Sequence, residues 1–262
     1  DYYKDMDDLI SAYKDYANNA EKMVIACGDD PYTHSLEINK PIFYYGLDED
    51  NDIIAKNVEY TDNGVSFDVF VEDNYYGHFD LPLFGKHMLL NSLAVISICY
   101  YERIEAKEVG KMLKTFKGAR RRFSETIVED NIVVDDYAHH PTELKYTIKS
   151  AKQKYPDKEI IAVWGPHTYS RTKAFKDDYI EVLKEVNKAY IMDIYGAREK
   201  EEDFDIKSED IIKEIPNAEN IKEDNFENLL KHHNSVILFM SPNDLTDFEN
   251  KYIEKYKEET KK

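Results

Sequence analysis

The sequence predicts an α/β protein in two parts. A run of strand-like segments over residues 42–83 reads as an antiparallel meander. After Gly118 short apolar strands alternate with helices, the rhythm of a Rossmann-like, doubly wound parallel sheet. Between them Phe116-Lys117-Gly118 breaks the helical pattern, so the expected domains are 1–117 and 118–262.

The elements follow in order. Residues 1–22 carry Met6, Leu9, Ile10, Tyr13 and Ala17 at helical spacing among acids and lysines. Met23 to Cys27 is a short apolar strand, stopped by Gly28-Asp29-Asp30-Pro31. Strands are expected at Ile42–Tyr45, Ile53–Val58, Val65–Val71 and Tyr75–Phe79, with Asn63-Gly64 as a hairpin signal. Val65, Phe67, Val69 and Val71 should share one face. Gly85–Ile104 and Lys107–Phe116 read as helices. In the second part, strands at Ile132–Val134, Ile160–Trp164, Ala189–Met192 and Val236–Met240 each lead to a helix. Those helices are expected from Thr142, from about Thr172, near Asp210, and from Asp244 to Tyr256.

Composition narrows the function classes. The 262 residues are 42% hydrophobic, enough for a real core, and carry a net charge of −18. So acidic a chain offers no cationic footprint for nucleic acid or an anionic membrane, and neither is an expected partner. Cys27 and Cys99 sit in apolar runs, which suits buried free thiols better than a disulfide or a metal site. No apolar run approaches the length of a membrane span. No signal peptide is visible, and because the chain begins at Asp1 rather than Met a missing N-terminus stays open. Cytoplasmic is the default location. Oligomeric state is not legible.

In doubly wound sheets ligands sit beyond the carboxyl ends of the strands. That rule selects the loops Asp135–Pro141, Gly165–Arg171, Asp193–Lys200 and Ser241–Asp244. The first holds Asp136, Tyr137, His139 and His140, able to bind a ribose hydroxyl or an anion or to move a proton. Its bland alternative is an Asp turn with solvated histidines. Adjacent histidines point apart, so the pair does not read as a joint metal site. The second loop holds His167 and Arg171, whose planar fork suits a carboxylate or phosphate. The alternative there is a helix start with ordinary Ser and Thr caps. Arg120-Arg121-Arg122 could grip a polyphosphate or be a solvated run. His87 and Asn91, four apart on one helix face, could meet a nucleobase or be a surface amide and a cap.

These motifs, taken in order, resemble the Mur ligase family. Gly85, His87 and Asn91 match a G-x-H-N-x-x-N helix start, with Met88 in place of an Asn. Phe116 to Phe123 matches F-x-G-x-x-R-R-F, and Asp135 to Glu143 matches D-D-Y-A-H-H-P-T-E without a gap. Pro166 to Thr172 and Ile194 to Glu199 match P-H-x-Y-S-R-T and I-Y-x-A-R-E. Gly165 stands where the pattern has Gln, and Ser241-Pro242-Asn243-Asp244 where it has Gly-Ala-Gly-Asp. The paired histidines point to the alanine-adding branch or its relative, the branch that recycles murein tripeptide. A Mur-like chain that binds without catalysing is the other alternative, which the departures would fit.

The resemblance implies a partial central ATPase-type domain followed by the family's Rossmann-like C-terminal domain. It implies an ATP- and Mg2+-dependent ligase of peptidoglycan synthesis that joins L-alanine to UDP-N-acetylmuramate through an acyl phosphate, with domain closure completing the site. It places His87 and Asn91 at the adenine, Arg121 or Arg122 at the phosphates, and Asp136 at the ribose. Tyr137, His139, His167 and Arg171 would line the muramate and amino-acid site, and Arg121, Arg122 and His139 would assist the chemistry. No metal ligand is expected among these residues. The sequence contains no G-x-x-G-K-T phosphate loop. The implied phosphate loop, UDP-binding domain and magnesium-holding acid and histidine would lie outside it, with Asp1 just after that histidine. Without amides and a lysine around the transferred phosphoryl group, nucleotide affinity should be weak and insensitive to magnesium. These 262 residues alone should release no phosphate above background from ATP, Mg2+, UDP-N-acetylmuramate and L-alanine, and turnover would show the reading to be wrong.

Overall fold

The computed structural model describes residues 3–34, 36–222 and 225–261. They form two compact units, Asp1–Lys117 and Gly118–Lys262, each with its own sheet. No helix among the described residues is long and apolar enough to cross a membrane.

The first unit begins with α1 (Met6–Asn18), whose start is set by Asp5 accepting the Asp8 N–H at 2.9 Å. The helix expected over 1–22 is thus shorter, and its first two residues lie outside those described. There follow β1 (Val24–Cys27), a single turn α2 (Pro31–His34), β2 (Ile42–Gly46), β3 (Ile53–Thr61), β4 (Gly64–Val71), β5 (Asn74–Leu81), α3 (Lys86–Tyr101) and α4 (Ala106–Leu113). Strand order is β1-β2-β3-β4-β5. The meander is confined to β3–β5, because β2 pairs parallel with both β1 and β3. The reason is the connection between β2 and β3, which lacks hairpin chemistry. Asp29 Oδ1 accepts the N–H groups of Leu47 and Asp48 at 2.8 and 3.2 Å and the Asn51 amide at 3.1 Å. This polar knot makes the chain loop out and re-enter in its original direction.

The β3–β4 hairpin is also shifted from the expected turn. Thr61 faces Gly64, so Asp62 and Asn63 are the loop residues and Gly64 is already in the strand. Gly64 has φ +133°, and a Cβ there would lie 2.1 Å from the Leu81 carbonyl oxygen. Val65, Phe67, Val69 and Val71 do share one buried face, packed with Leu89, Leu93 and Ile96 of α3. Cys27 and Cys99 are free but only half-buried.

The second unit runs β6 (Ser124–Val128), β7 (Asn131–Asp136), α5 (Pro141–Lys154), β8 (Glu159–Trp164), α6 (Tyr169–Ala174), α7 (Lys176–Leu183), β9 (Lys188–Ile191), α8 (Glu209–Ile212), β10 (Ala218–Asn220), β11 (Ser235–Met240) and α9 (Thr246–Thr260). The order is β10-β9-β8-β11-β7-β6, parallel except for β6. The edge strands β6 and β10 were not foreseen: β6 leaves Glu125, Thr126 and Ile127 exposed, and β10 is three half-buried residues, so neither shows an apolar run. The helix expected from Thr172 is two helices that meet at Phe175, and the one near Asp210 is a single turn.

β8 and β11 are covered on both faces, which is why they read as unbroken apolar runs. Leu144 and Ile148 of α5, Tyr179 and Leu183 of α7 and Ile211 of α8 pack on one face. Phe248, Tyr252 and Tyr256 of α9 pack on the other. Each such side chain contributes roughly 1.5–3 kcal/mol through burial. In the first unit, Gly64→Ala adds both a clash and a strained φ. It should destabilise by more than about 1 kcal/mol, read as a lower denaturation midpoint of that unit.

Candidate functional site

The order β8-β11-β7 brings three of the four expected loops side by side at one sheet edge, and β9 adds the fourth. Each loop is held by named bonds.

After β7, the Asp136 side chain is buried, and its oxygens accept the N–H groups of Ala138 and Phe123, each at 2.8 Å. Burial raises its pKa against the lowering by those two bonds. Tyr137 is exposed, and the guanidinium carbons of Arg121 and Arg122 lie 5.3 and 5.4 Å from its ring centre. The two histidines diverge as expected. His139 is held through Nδ1 to the Tyr137 carbonyl at 3.0 Å and lies 3.2 Å from Glu143. His140 starts α5: its Nδ1 accepts the Thr142 N–H at 3.3 Å and its ring packs edge-on against Phe175. An accepting Nδ1 is unprotonated, and burial together with the charges of Arg171 and His139 lowers the His140 pKa. Glu143 completes the cap by accepting the N–H groups of His139 and His140, both at 3.0 Å. Neither histidine is therefore merely solvated.

After β8, the loop is zipped to the loop after β9. Thr168 N donates to Tyr195 O at 2.8 Å and Tyr195 N to Pro166 O at 3.0 Å. Glu199 reaches across to accept the Ser170 N–H at 2.8 Å and the Ser170 hydroxyl. Ordinary caps do not explain this helix start: Thr168 makes no side-chain cap and has φ +67°, ψ 137°. Such a backbone costs about 1–3 kcal/mol and persists only when its surroundings fix it. Trp164 Nε1, His167 Nδ1 and Thr168 Oγ1 are buried with no hydrogen-bond partner among the described residues. Burial and the charges of Arg171 and His139 lower the His167 pKa, which ties these three residues together electrostatically. Leftover buried polar atoms beside an arginine and strained backbone are what a bound polar ligand would satisfy.

The arginine run is divided by its partners. Arg120 and Arg122 are exposed. Arg121 is largely enclosed, its Nε 3.2 Å from Asp135 and its Nη2 donating to the carbonyls of Ser241 and Asn243, both at 2.8 Å. Glu249 of α9 faces the same cluster. Burial and the negative charges of Asp135 and Asp244 outweigh Arg121 and push its carboxyl up to about 7.

In the first unit, His87 is half-buried and Asn91 exposed at the start of α3, whose N-cap Gly85 has φ +87° and no side-chain cap. Lys86 Nζ lies 3.6 Å from Asp29. Sequence reading assigned no role to Glu143 or Glu199. The first was legible as a glutamate three residues after a cap, whereas only the fold brings the second to Ser170. Among the described residues, no three His, Cys, Asp or Glu side chains are arranged to hold a metal.

A raised acid favours folding in its protonated form, so the Glu249 contribution is present below the ordinary glutamate pKa and is lost as pH rises through about 7. Glu249→Gln should therefore gain stability relative to the parent between about pH 5 and pH 8. Thermal melts at the two ends of that range check it, and a constant difference would contradict the site's electrostatics.

The Mur ligase middle domain model matches residues 1–99, and the Mur ligase, glutamate ligase domain model matches residues 121–244. Among solved structures, the UDP-N-acetylmuramate–alanine ligase of Thermotoga maritima superposes with a TM-score of 0.79 at 20% identity, over 98% of this chain and 56% of that one. The MurF ligase of Thermotoga maritima in complex with ADP gives 0.75 at 15%, over 99% and 60%. A murein peptide ligase from Psychrobacter arcticus gives 0.69 at 19%, over 97% and 56%. At these identities the likeness is one of fold, and the chain spans 56 to 60% of the length of these structures.

Proposed function

Since the chain belongs to the Mur ligase family of ATP-dependent ligases, we propose that its sheet-edge site serves the joining of an amino acid to a nucleotide-linked muramyl acid. The substrates best suited to its motifs are UDP-N-acetylmuramate and L-alanine. One observation carries this reading. Arg122, His139, His167 and Arg171 lie on neighbouring loops of one sheet edge in a strongly acidic chain, so anionic groups have a local place to bind.

In this reading ATP phosphorylates the muramate carboxylate, and the amine of L-alanine displaces phosphate from the acyl phosphate to form the amide. The protein supplies position and positive charge rather than covalent chemistry. Arg122 is exposed and takes the phosphoryl oxygens. Arg171 takes the carboxylate of the incoming amino acid, for which its planar fork is suited. His139, fixed through Nδ1, presents its other ring nitrogen to the muramate, and Tyr137 and His167 line the same region. The lowered pKa of His167 keeps its ring neutral near pH 7, so it acts as a hydrogen-bonding group and not as a further cation. Asp136 retains lone pairs for a ribose hydroxyl. Taken by itself, the first unit offers His87 and Asn91, on the opening turns of α3, as hydrogen-bonding groups for a nucleobase. No metal ligand is assigned within these residues.

Arg171→Ala, assayed in a ligase preparation that contains this chain, should raise the Michaelis constant for L-alanine at least about tenfold, the equivalent of one charged hydrogen-bonded contact. The turnover number should change less. An unchanged constant for L-alanine, with a raised one for tripeptide, would transfer the site to the tripeptide-adding reaction.

A further inference from the structure

The two central features of the arginine run differ in a way that assigns them different work. Arg121 and Phe123 have φ of +55° and +57°, so two non-glycine residues in the left-handed region flank Arg122. A backbone of this kind must be pinned from outside. Phe123 is pinned by its N–H to Asp136 at 2.8 Å. Arg121 is pinned at both backbone ends, its N–H donating to Ser124 Oγ at 2.9 Å and its carbonyl accepting the Tyr137 N–H at 2.9 Å. Its guanidinium then reaches Asp135 on β7 and the Ser241 and Asn243 carbonyls after β11. The side chain between them, Arg122, stands half-exposed, 5.4 Å from the Tyr137 ring centre and 3.8 Å from Glu143.

We infer that Arg121 is a positioning residue: its guanidinium latches the turn that presents Arg122, and it does not itself bind the anionic substrate. The inference deepens the proposed function, since it rests on Arg122 being the group that meets the anion. Three physical points support it. The Nε and one Nη of Arg121 are already committed to four acceptor atoms on two elements. Its charge is opposed by the Asp135 carboxylate in contact with it and by Asp244, so little attraction is left for an incoming anion. A fork geometry can serve a carboxylate and two carbonyls together, which a lysine ammonium on a flexible stem does not reproduce. Arg122, by contrast, has one ion-pair contact among the described residues, at 3.8 Å, and an aromatic face beside it.

The first test uses the ligand-free 262-residue chain and nitrogen-15 spectra of its arginine side chains and amides. Arg121→Gln should move the Arg122 Nε–H signal away from its ring-shifted position beside Tyr137 and broaden the Arg122 and Phe123 amides. The indole N–H of Trp164, buried in the sheet core, should stay in place and report an intact fold. Arg121→Lys should behave like Arg121→Gln, because the fork and not the charge makes the latch. Signals of Arg122 that remain at their parent positions in both variants would overturn the inference. Should Arg121→Gln disturb Trp164, Asp135→Asn decides the matter: it weakens one arm of the latch and should move the same Arg122 signals in the same direction.

A second measurement keeps the inference apart from the reading beneath it. Inorganic tripolyphosphate is titrated into the parent, Arg121→Gln, Arg122→Ala and the double variant by calorimetry. A latch acting through Arg122 predicts a loss of about tenfold for Arg121→Gln and no further loss when it is added to Arg122→Ala. Equal, additive losses would make Arg121 a direct anion contact and overturn the inference. Binding that ignores Arg122 altogether would remove the anion-site reading, while the spectra would still decide the latch.

Discussion

Three backbone hydrogen bonds run one residue past the ends of the central strands: Met192 N to Trp164 O, Gly165 N to Met240 O, and Ser241 N to Asp136 O, at 2.9, 3.0 and 3.1 Å. They extend the ladder β9-β8-β11-β7 into the loops, so the first residue of each loop is set by the sheet and not by the loop's own flexibility. The candidate site depends on this constraint. Tyr137, His139, Pro166, His167 and Asp193 all follow within a few residues of a fixed backbone point. A polar site built this close to a buried ladder holds its side chains with little remaining freedom, which is what positional catalysis requires.

Around that edge the polar groups divide into those that hold and those that are left to act. Asp136, Glu143, Glu199 and Arg121 each bond backbone groups of the loops at this edge. Tyr137 and Arg122 are exposed, and His167 Nδ1 and Thr168 Oγ1 are buried without partners among the described residues. The strained backbones at Arg121, Phe123 and Thr168 sit among the holding bonds, which is where strain can be sustained.

Two departures from the Mur pattern turn out to be one. A Cβ on Gly165 would lie 2.8 Å from Ser241 Oγ, and that hydroxyl donates to the Gly165 carbonyl at 3.2 Å. The pattern has a large residue at the first position and glycine at the second, whereas this chain has the reverse. The space is shared, so a side chain at 241 requires its absence at 165. Ser241 Oγ also accepts the Asn243 N–H at 3.1 Å, which stabilises the bend whose carbonyls Arg121 then grips.

Much of this molecule follows from the sequence alone, because periodicity is a local property. The alternation of Val65, Phe67, Val69 and Val71, the unbroken runs of β8 and β11, and the break at Gly118 each report burial or its interruption within a few residues. The motif segments also fall together at one sheet edge, since the parallel strands they follow all end there. What the tertiary structure alone decided concerns partners distant in the chain. The parallel pairing of β2 depends on Asp29 meeting Leu47 and Asn51, and the edge strands β6 and β10 exist through their neighbours' ladders rather than any apolar signal of their own. The separation of Arg121 from Arg122 is of the same kind. Adjacent arginines are chemically identical in a sequence, and only the approach of Asp135, Ser241 and Asn243 to one of them makes it a latch and leaves the other open.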